Sequence, residues 1–455
     1  METLSKKEKL LPILSNKNVD KKKEMLAGLT TFLTMAYIIA VNPSILSATK
    51  EMPAGELVTA TCLAAAVGCF VMGIFANLPF ALASGMGLNA YFAFTVVIGK
   101  KIPWEVALTA VFVEGIIFIL LSLFKIREAV VNAIPMNMKL AVTGGIGLFI
   151  AFIGMSNGGL IVANESTKVA MGKFTPAVII TLVGLIIIAV LDKKKVKGAI
   201  LWGILISAVI GWVYALVSPD AAGELGISLP KGIFKFEGIG TIAGKIDFAY
   251  AFSAKNIMSF IPIVFTFLFV DFFDTVGTLV GVCSKANMLD ENGNVPNAGR
   301  ALLADAIATT AGAALGVSTV TTYVESSTGV AEGGRTGYTA ITTGILFLIA
   351  MFLSPLFIAI PNCATAPALI YVGYLMLSTV KNIDFGDITE GVPAFLTIAC
   401  MPLLYSIGDG LTIGILAYVI INTIYNLIVR KEEKKKISAV MYVLAVIFVL
   451  KIIFL

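Results

Sequence analysis

The sequence predicts an all-α polytopic membrane protein, with fourteen transmembrane segments in two inverted seven-span repeats. Three observations carry this. Of 455 residues, 58% are hydrophobic and only 13% charged, about half the roughly 25% charged share of a soluble domain. Apolar stretches close to the ~20 residues that cross a bilayer recur along the whole chain. The two halves also repeat one another in order.

The spans fall at 25–43, 57–77, 81–98, 104–124, 136–154, 174–191, 198–217, 256–282, 299–315, 318–332, 336–358, 363–380, 393–407 and 410–429, by apolar length and flanking charge. The third and tenth read as broken helices. The run 437–455 is either a fifteenth span or a helix lying along the interface. The chain thus divides into a tail (1–24), a first repeat (25–217), an external loop (218–255), a second repeat (256–429), and a basic linker with an apolar end (430–455). The loop reads as a Gly-rich, solvated connector. The first 24 residues are charged, lack an apolar run and predict no cleaved leader.

Charge sets the orientation. With the N-terminus inside, the inner segments hold 22 Lys and Arg and the outer segments nine. That bias places both ends of the fourteen-span unit in the cytoplasm of a cell-membrane protein. The net charge of +5 comes from Lys clusters beside spans. The partner it implies is the lipid bilayer, and no nucleic acid.

The repeat is weak but ordered. LTAVFVEGIIFILLSLF (108–124) matches YTAITTGILFLIAMFLSPLF (338–357), and each copy is followed by Ile-Pro, at Ile134-Pro135 and Ile360-Pro361. Pro176-Ala177 opens span six as Pro393-Ala394 opens span thirteen. WGILISAVI (202–210) matches IGILAYVII (413–421). Seven spans per half is an odd number, so the second copy is inverted. Inverted repeats are a transporter signature, with the substrate where the repeats meet.

That meeting point is visible as two polar breaks. VSTVTTYVESSTGVAEGGRTGY (317–338) reads as a β-branched strand, a turn and a helix start. The repeat sets Asn77 to Gly85 opposite Thr321 to Gly329, placing Ala83 and Ser84 beside the same ligand. Glu325 is an acid inside the membrane, where an ionisable group is costly without a role. It either binds substrate, with the free N–H groups of Ser326 and Ser327 beside it, or caps the half-helix.

Asp271 and Asp274, in FLFVDFFDTVGTLVG, are three residues apart and share a helix face with Thr275 and Thr278. There is no histidine, so a carboxylate must carry any coupling proton. One aspartate serves that purpose and the other anchors helices. Asn89 is either a ligand amide or a packing amide. Glu114 and Asp305 also lie in or near spans, Glu114 as a second group behind the site, and Asp409 reads as the N-cap of span fourteen. Gly85, Gly87, Gly144, Gly145 and Gly147 suit close helix packing. The five cysteines form no C-x-x-C pair and read as buried residues, with no metal site. With no H-E-x-x-H and no G-x-S-x-G, the chain does not read as an enzyme.

The chain resembles nucleobase–cation symporter family 2, the nucleobase/ascorbate transporter superfamily, and within it the AzgA-like branch of guanine/hypoxanthine permeases. The resemblance rests on LAGLTTFLTMAYIIAVNP (26–43), LPFALASGMGLNAYFAF (78–94), FVDFFDTVGTL (269–279), TTYVESSTGVAEGGRTG (321–337) and PAFLTIACMPLLYSI (393–407). It implies short paired strands in spans three and ten, a core of spans one to four and eight to eleven, and a gate of the others. It implies a purine nucleobase substrate, a proton as coupling ion, no cofactor and a homodimer. Glu325 matches the substrate glutamate, Asp274 the acidic position of span eight, and Asn89 a span-three position. Thr278 falls where uracil transporters carry a proton-linked histidine, which leaves the coupling route open between Asp271 and Asp274.

Overall fold

The computed structural model describes residues 19–123, 135–253, 256–285 and 297–454 except 431 and 433, with isolated positions 13, 288 and 295. Most of the N-terminal tail, Ile134 of the repeat and Lys255 of the loop lie outside the described residues.

Helices account for nearly every predicted span, and polar caps start several of them. Asp20 accepts from the N–H groups of Lys22 and Lys23 at the head of Lys21–Met35. Thr175 accepts from Val178 ahead of Pro176–Lys193, with Pro176 in the first position, where it loses no bond. Thr336 and Asp387 cap Gly337–Ala350 and Ile388–Leu403. Span fourteen, Ile407–Ile428, is capped by Ser406, whose hydroxyl accepts from the N–H of Asp409. Asp409 itself sits in the first turn, because the chain is still extended at Ser406 and the helix starts three residues earlier than expected. Pro393 likewise lies inside its helix, so span thirteen begins five residues before the Pro-Ala pair.

Span one is broken where the sequence suggested continuity. The helix stops at Met35 and resumes as Ile38–Leu46. Between them the ladder tightens: the N–H of Ile39 bonds to Ala36 and that of Ala40 to Tyr37, both at 3.1 Å. Span two, Ala54–Val71, ends in a wider turn, Met72–Ala76, and then Asn77 in the left-handed region (φ 54°).

Four short strands are present among the described residues. β1 (Leu82–Ser84) opens span three and is followed by Met86–Ala90 and Tyr91–Gly99. β2 (Ile161–Asn164) and β3 (Lys168–Met171) form a hairpin between spans five and six, where no element was expected. Its turn is held by Asn164, whose side chain accepts from the N–H groups of Ser166 and Thr167. β4 (Val320–Thr322) opens span ten and leads into Ser326–Ala331.

The helices pack as two bodies. In one, Gly337–Ala350 lies against Lys21–Met35 and Ala54–Val71, while Ala298–Leu315 lies against Ala54–Val71 and Trp104–Leu123. Ile257–Lys285 joins this body through Trp104–Leu123. In the other, Met136–Asn157 lies against Asn362–Leu377 and Ile388–Leu403, and Pro176–Lys193 against Ala199–Val217. Each body has a crossing at which backbones touch. A Cβ on Gly337 would stand 1.9 Å from the Gly73 carbonyl oxygen, and one on Gly373 2.4 Å from that of Gly147. Gly144, Gly145 and Gly147 face Val380, Met401 and Met376 with no room for a side chain, in keeping with small-residue packing.

The connector after span seven is pinned rather than free. Lys235 pairs with Phe352 and Ser354, the Thr241 N–H donates to Glu56, and Gly244 donates to Ala314. Ile242 is fully buried. The terminal helix, Ala439–Phe454, turns Met441, Leu444, Ala445 and Phe448 inward. Its Phe448 meets Phe265 of span eight edge-on at 5.6 Å.

Candidate functional site

β1 and β4 cross at the centre, antiparallel, with Leu82 opposite Thr322, Ala83 opposite Thr321 and Ser84 opposite Val320. All six residues are buried. Two further bonds extend the ladder: Gly85 N–H to Thr319 at 2.9 Å and Tyr323 N–H to Ala81 at 3.0 Å. Non-helical backbone at membrane depth needs every group paired, and here each segment supplies the other's partners. Ser326 Oγ accepts from the Ala81 N–H at 3.0 Å. Tyr323 Oη donates to the Ser84 carbonyl at 2.6 Å.

Beyond β4 the chain turns sharply. Ser326 N–H bonds back to Tyr323 and Ser327 N–H to Val324, at 3.1 and 3.0 Å. The expectation of free N–H groups at Ser326 and Ser327 is therefore corrected: the turn into the half-helix consumes them. Val324 is 49% exposed, so this turn faces an opening and not packed protein. Glu325 is partly exposed there. Its side chain makes no cap bond to the half-helix. One oxygen, Oε1, instead accepts from Tyr37 Oη at 2.6 Å. Tyr37 is fully buried at the break in span one.

The two aspartates of span eight separate. Asp271 is fully buried, with the Thr275 hydroxyl 3.5 Å from its Oδ1. That hydroxyl also lies 2.8 Å from Asp305 Oδ2 and 2.8 Å from Thr321 Oγ1. Asp305 Oδ1 accepts from the Thr322 N–H at 3.1 Å and from its hydroxyl at 3.3 Å. Asp271, Thr275 and Asp305 thus form one buried network that holds β4. Asp274 is partly exposed and lies within electrostatic reach of both Asp305 and Glu325. Thr278, a turn further on, is also partly exposed.

Asn89 sits behind β1. Its Oδ1 accepts from the hydroxyls of Ser84 and Ser318, at 2.7 and 2.5 Å. With the oxygen held twice, Nδ2 is a buried donor with no partner among the described residues. Glu114 Oε2 accepts from the Thr319 hydroxyl at 3.1 Å, just ahead of β4.

The structure therefore brings Glu325, Asp274, Ala83, Ser84 and Asn89 around one crossing, and gives Ser326 and Asp271 buried bonds beside it. Tyr37 and Asp305 were not singled out from the sequence as parts of this site. Asp305 had a signal, an acid in the apolar run ALLADAIATT, but nothing local shows that it reaches β4. Tyr37 had almost none, since a tyrosine in an apolar span is ordinary.

The permease family model matches residues 22–450. The chain is 45% identical over 443 residues to the guanine/hypoxanthine permease PbuG of Bacillus subtilis, covering 95% of this chain and 97% of that one. It is 40% identical over 432 residues to the adenine permease AdeP of Escherichia coli K12, covering 95% and 92%. Among solved structures, the transmembrane domain of the cyanobacterial bicarbonate transporter BicA aligns with a TM-score of 0.63 at 14% identity, over 86% of this chain and 97% of that one. The murine anion transporter Slc26a9, inward-facing, aligns at 0.64 and 11% identity, over 94% and 74%. These structures share the core-and-gate fold. The chain is a multi-pass membrane permease and belongs to the permease family of nucleobase/ascorbate transporters.

Proposed function

We propose that this chain imports purine nucleobases, guanine and hypoxanthine first, by proton symport across the cell membrane. The core body moves against the gate body in alternating access, and the halves 25–217 and 256–429 are related by inversion. The N-terminus is cytoplasmic. The observation that carries the reading is Glu325, a partly exposed carboxylate at the crossing of two broken segments, with one oxygen held by Tyr37. Guanine and hypoxanthine present N1–H beside a C6 carbonyl. Glu325 accepts from N1–H, and from the 2-amino group of guanine. The Asn89 Nδ2 is the buried donor beside the same strands that remains to be paired. Leaving one such partner unmade costs about 1–3 kcal/mol, enough to select among purines.

Proton coupling follows from what surrounds that carboxylate. Asp274 lies within electrostatic reach of it, with no histidine in the chain. Neighbouring carboxylates are costly to charge together, which makes Asp274 and Glu325 the pair that handles the coupling proton in this reading. Adenine has an acceptor at N1 and requires a protonated acid, which makes it the second candidate. It is kept because AdeP, an adenine permease, is 40% identical.

The test is uptake of labelled guanine, hypoxanthine, adenine, xanthine and uracil in cells lacking their own carriers. Guanine and hypoxanthine enter, uptake collapses with a proton uncoupler, and Glu325→Gln abolishes binding. Sodium-dependent uptake indifferent to pH sinks the proton claim, and wild-type affinity in Glu325→Gln sinks the site.

A further inference from the structure

Span one runs alongside the half-helix of span ten and meets it at three levels. A Cβ on Gly329 would stand 2.1 Å from Thr31 Oγ1 and 2.6 Å from the Ala27 carbonyl oxygen. Three residues on, Thr34 Oγ1 lies 2.9 Å from Thr328 Oγ1. Three more bring Tyr37 Oη to Glu325 Oε1 at 2.6 Å. The period of three matches the face of a helix. The first two levels are contacts between small groups that fix depth. The third is different: a neutral phenol must donate to a carboxylate, which only accepts.

Tyr37 owes its position to the break in its own helix. The ladder shifts at Ala36–Tyr37, and the ring is fully buried there. The phenol is thus held by packing, while the carboxylate it meets stands at an opening. Of the two partners the tyrosine is the fixed one.

We propose that Tyr37 is a positioning residue: its hydroxyl fixes one oxygen of Glu325 so that the other is presented to substrate in a single orientation. This rests on the reading of Glu325 as the substrate acid. A carboxylate free to rotate must be ordered by the ligand, and that cost appears in binding. It leaves the movement of core against gate untouched.

The test is Tyr37→Phe, which keeps the ring and removes the donor. The expected result is a rise in KM for the transported purine of about tenfold, with Vmax retained and ligand-free melting of the purified protein close to wild type. Thr34→Val, at the level that does not touch the carboxylate, lowers melting and leaves KM alone. An unchanged KM in folded Tyr37→Phe overturns the proposal. So does a fall in Vmax with KM unchanged, or an equal rise in KM for both variants, because each assigns Tyr37 to scaffold. Glu325→Gln separates the two levels of inference. If it still binds purine, the Glu325 reading fails. If it is inactive while Tyr37→Phe is normal, only the positioning claim fails.

Discussion

Ser326→Ala distinguishes a strand tie from a ligand contact. The residue is buried, and its hydroxyl oxygen lies 3.0 Å from the Ala81 N–H. Ala81 is also fully buried, so truncation leaves a donor that water does not reach. An orphaned buried N–H costs about 1–3 kcal/mol, roughly 5- to 150-fold in an equilibrium constant. The removed atom contributes little else, because serine to alanine deletes one oxygen and opens little space. The whole loss therefore falls on the crossing of the two halves, before any substrate arrives. Thermal unfolding of the purified protein, with and without purine, measures it. The ligand-free transition falls, purine raises wild type and variant by the same increment, and the guanine-to-hypoxanthine KM ratio stays within about twofold. Wild-type melting with a KM raised about tenfold or more would refute the reasoning and return Ser326 to the ligand contacts.

Three further outcomes are expected. Gly337→Ala forces a methyl group to within 1.9 Å of the Gly73 carbonyl oxygen, so folded yield drops by an overpacking cost of about 1–3 kcal/mol or more. Gly223→Ala, with nothing within 4 Å, leaves yield unchanged in the same expression assay. The Lys197–Glu332 ion pair, 2.7 Å, links the loop between spans six and seven to the end of the half-helix. Being half-exposed it is worth at most about 1 kcal/mol, so Glu332→Lys changes the uptake rate by less than about fivefold and the swapped pair restores it. Asp387, in the loop before span thirteen, bonds to the Lys435 ammonium, which with Thr389 holds its carboxyl below the usual carboxylate range. A depressed folded value adds stability above the unfolded one, near pH 4, and that stability is lost as pH falls through the folded value. The linker stays docked at pH 7 and loosens below about pH 4. A fluorophore pair across linker and span fourteen reads the change, and Asp387→Asn reproduces it at neutral pH.

Much of this architecture is legible in the chain because hydrocarbon demands long apolar runs and tolerates few polar breaks. The breaks at 77–85 and 321–329 stand out for that reason, and so does Glu325. What the sequence conceals is of two kinds. One is the partner of each polar group: Asp305 and Thr322 meet through the fold, as do Tyr37 and Glu325, and no local pattern encodes either. The other is backbone detail. The break at Ala36–Tyr37 carries no Pro or Gly, and the start of span thirteen is set by Asp387 rather than by the more conspicuous Pro393.

The crossed strands also order events during synthesis. Ala81 and Ser326 are 245 residues apart, and at about 5–20 residues per second that is a wait on the order of tens of seconds. Through that interval the N–H and carbonyl groups of Leu82 to Gly85 have no β4 to pair with. Each would cost several kcal/mol if left bare in hydrocarbon. The third segment must therefore stay beside water, the insertion machinery or neighbouring helices until the tenth arrives. A nascent first half is thus an unfinished membrane protein with an open edge at its middle, and the arrival of residues 319–326 is the step that lets it settle.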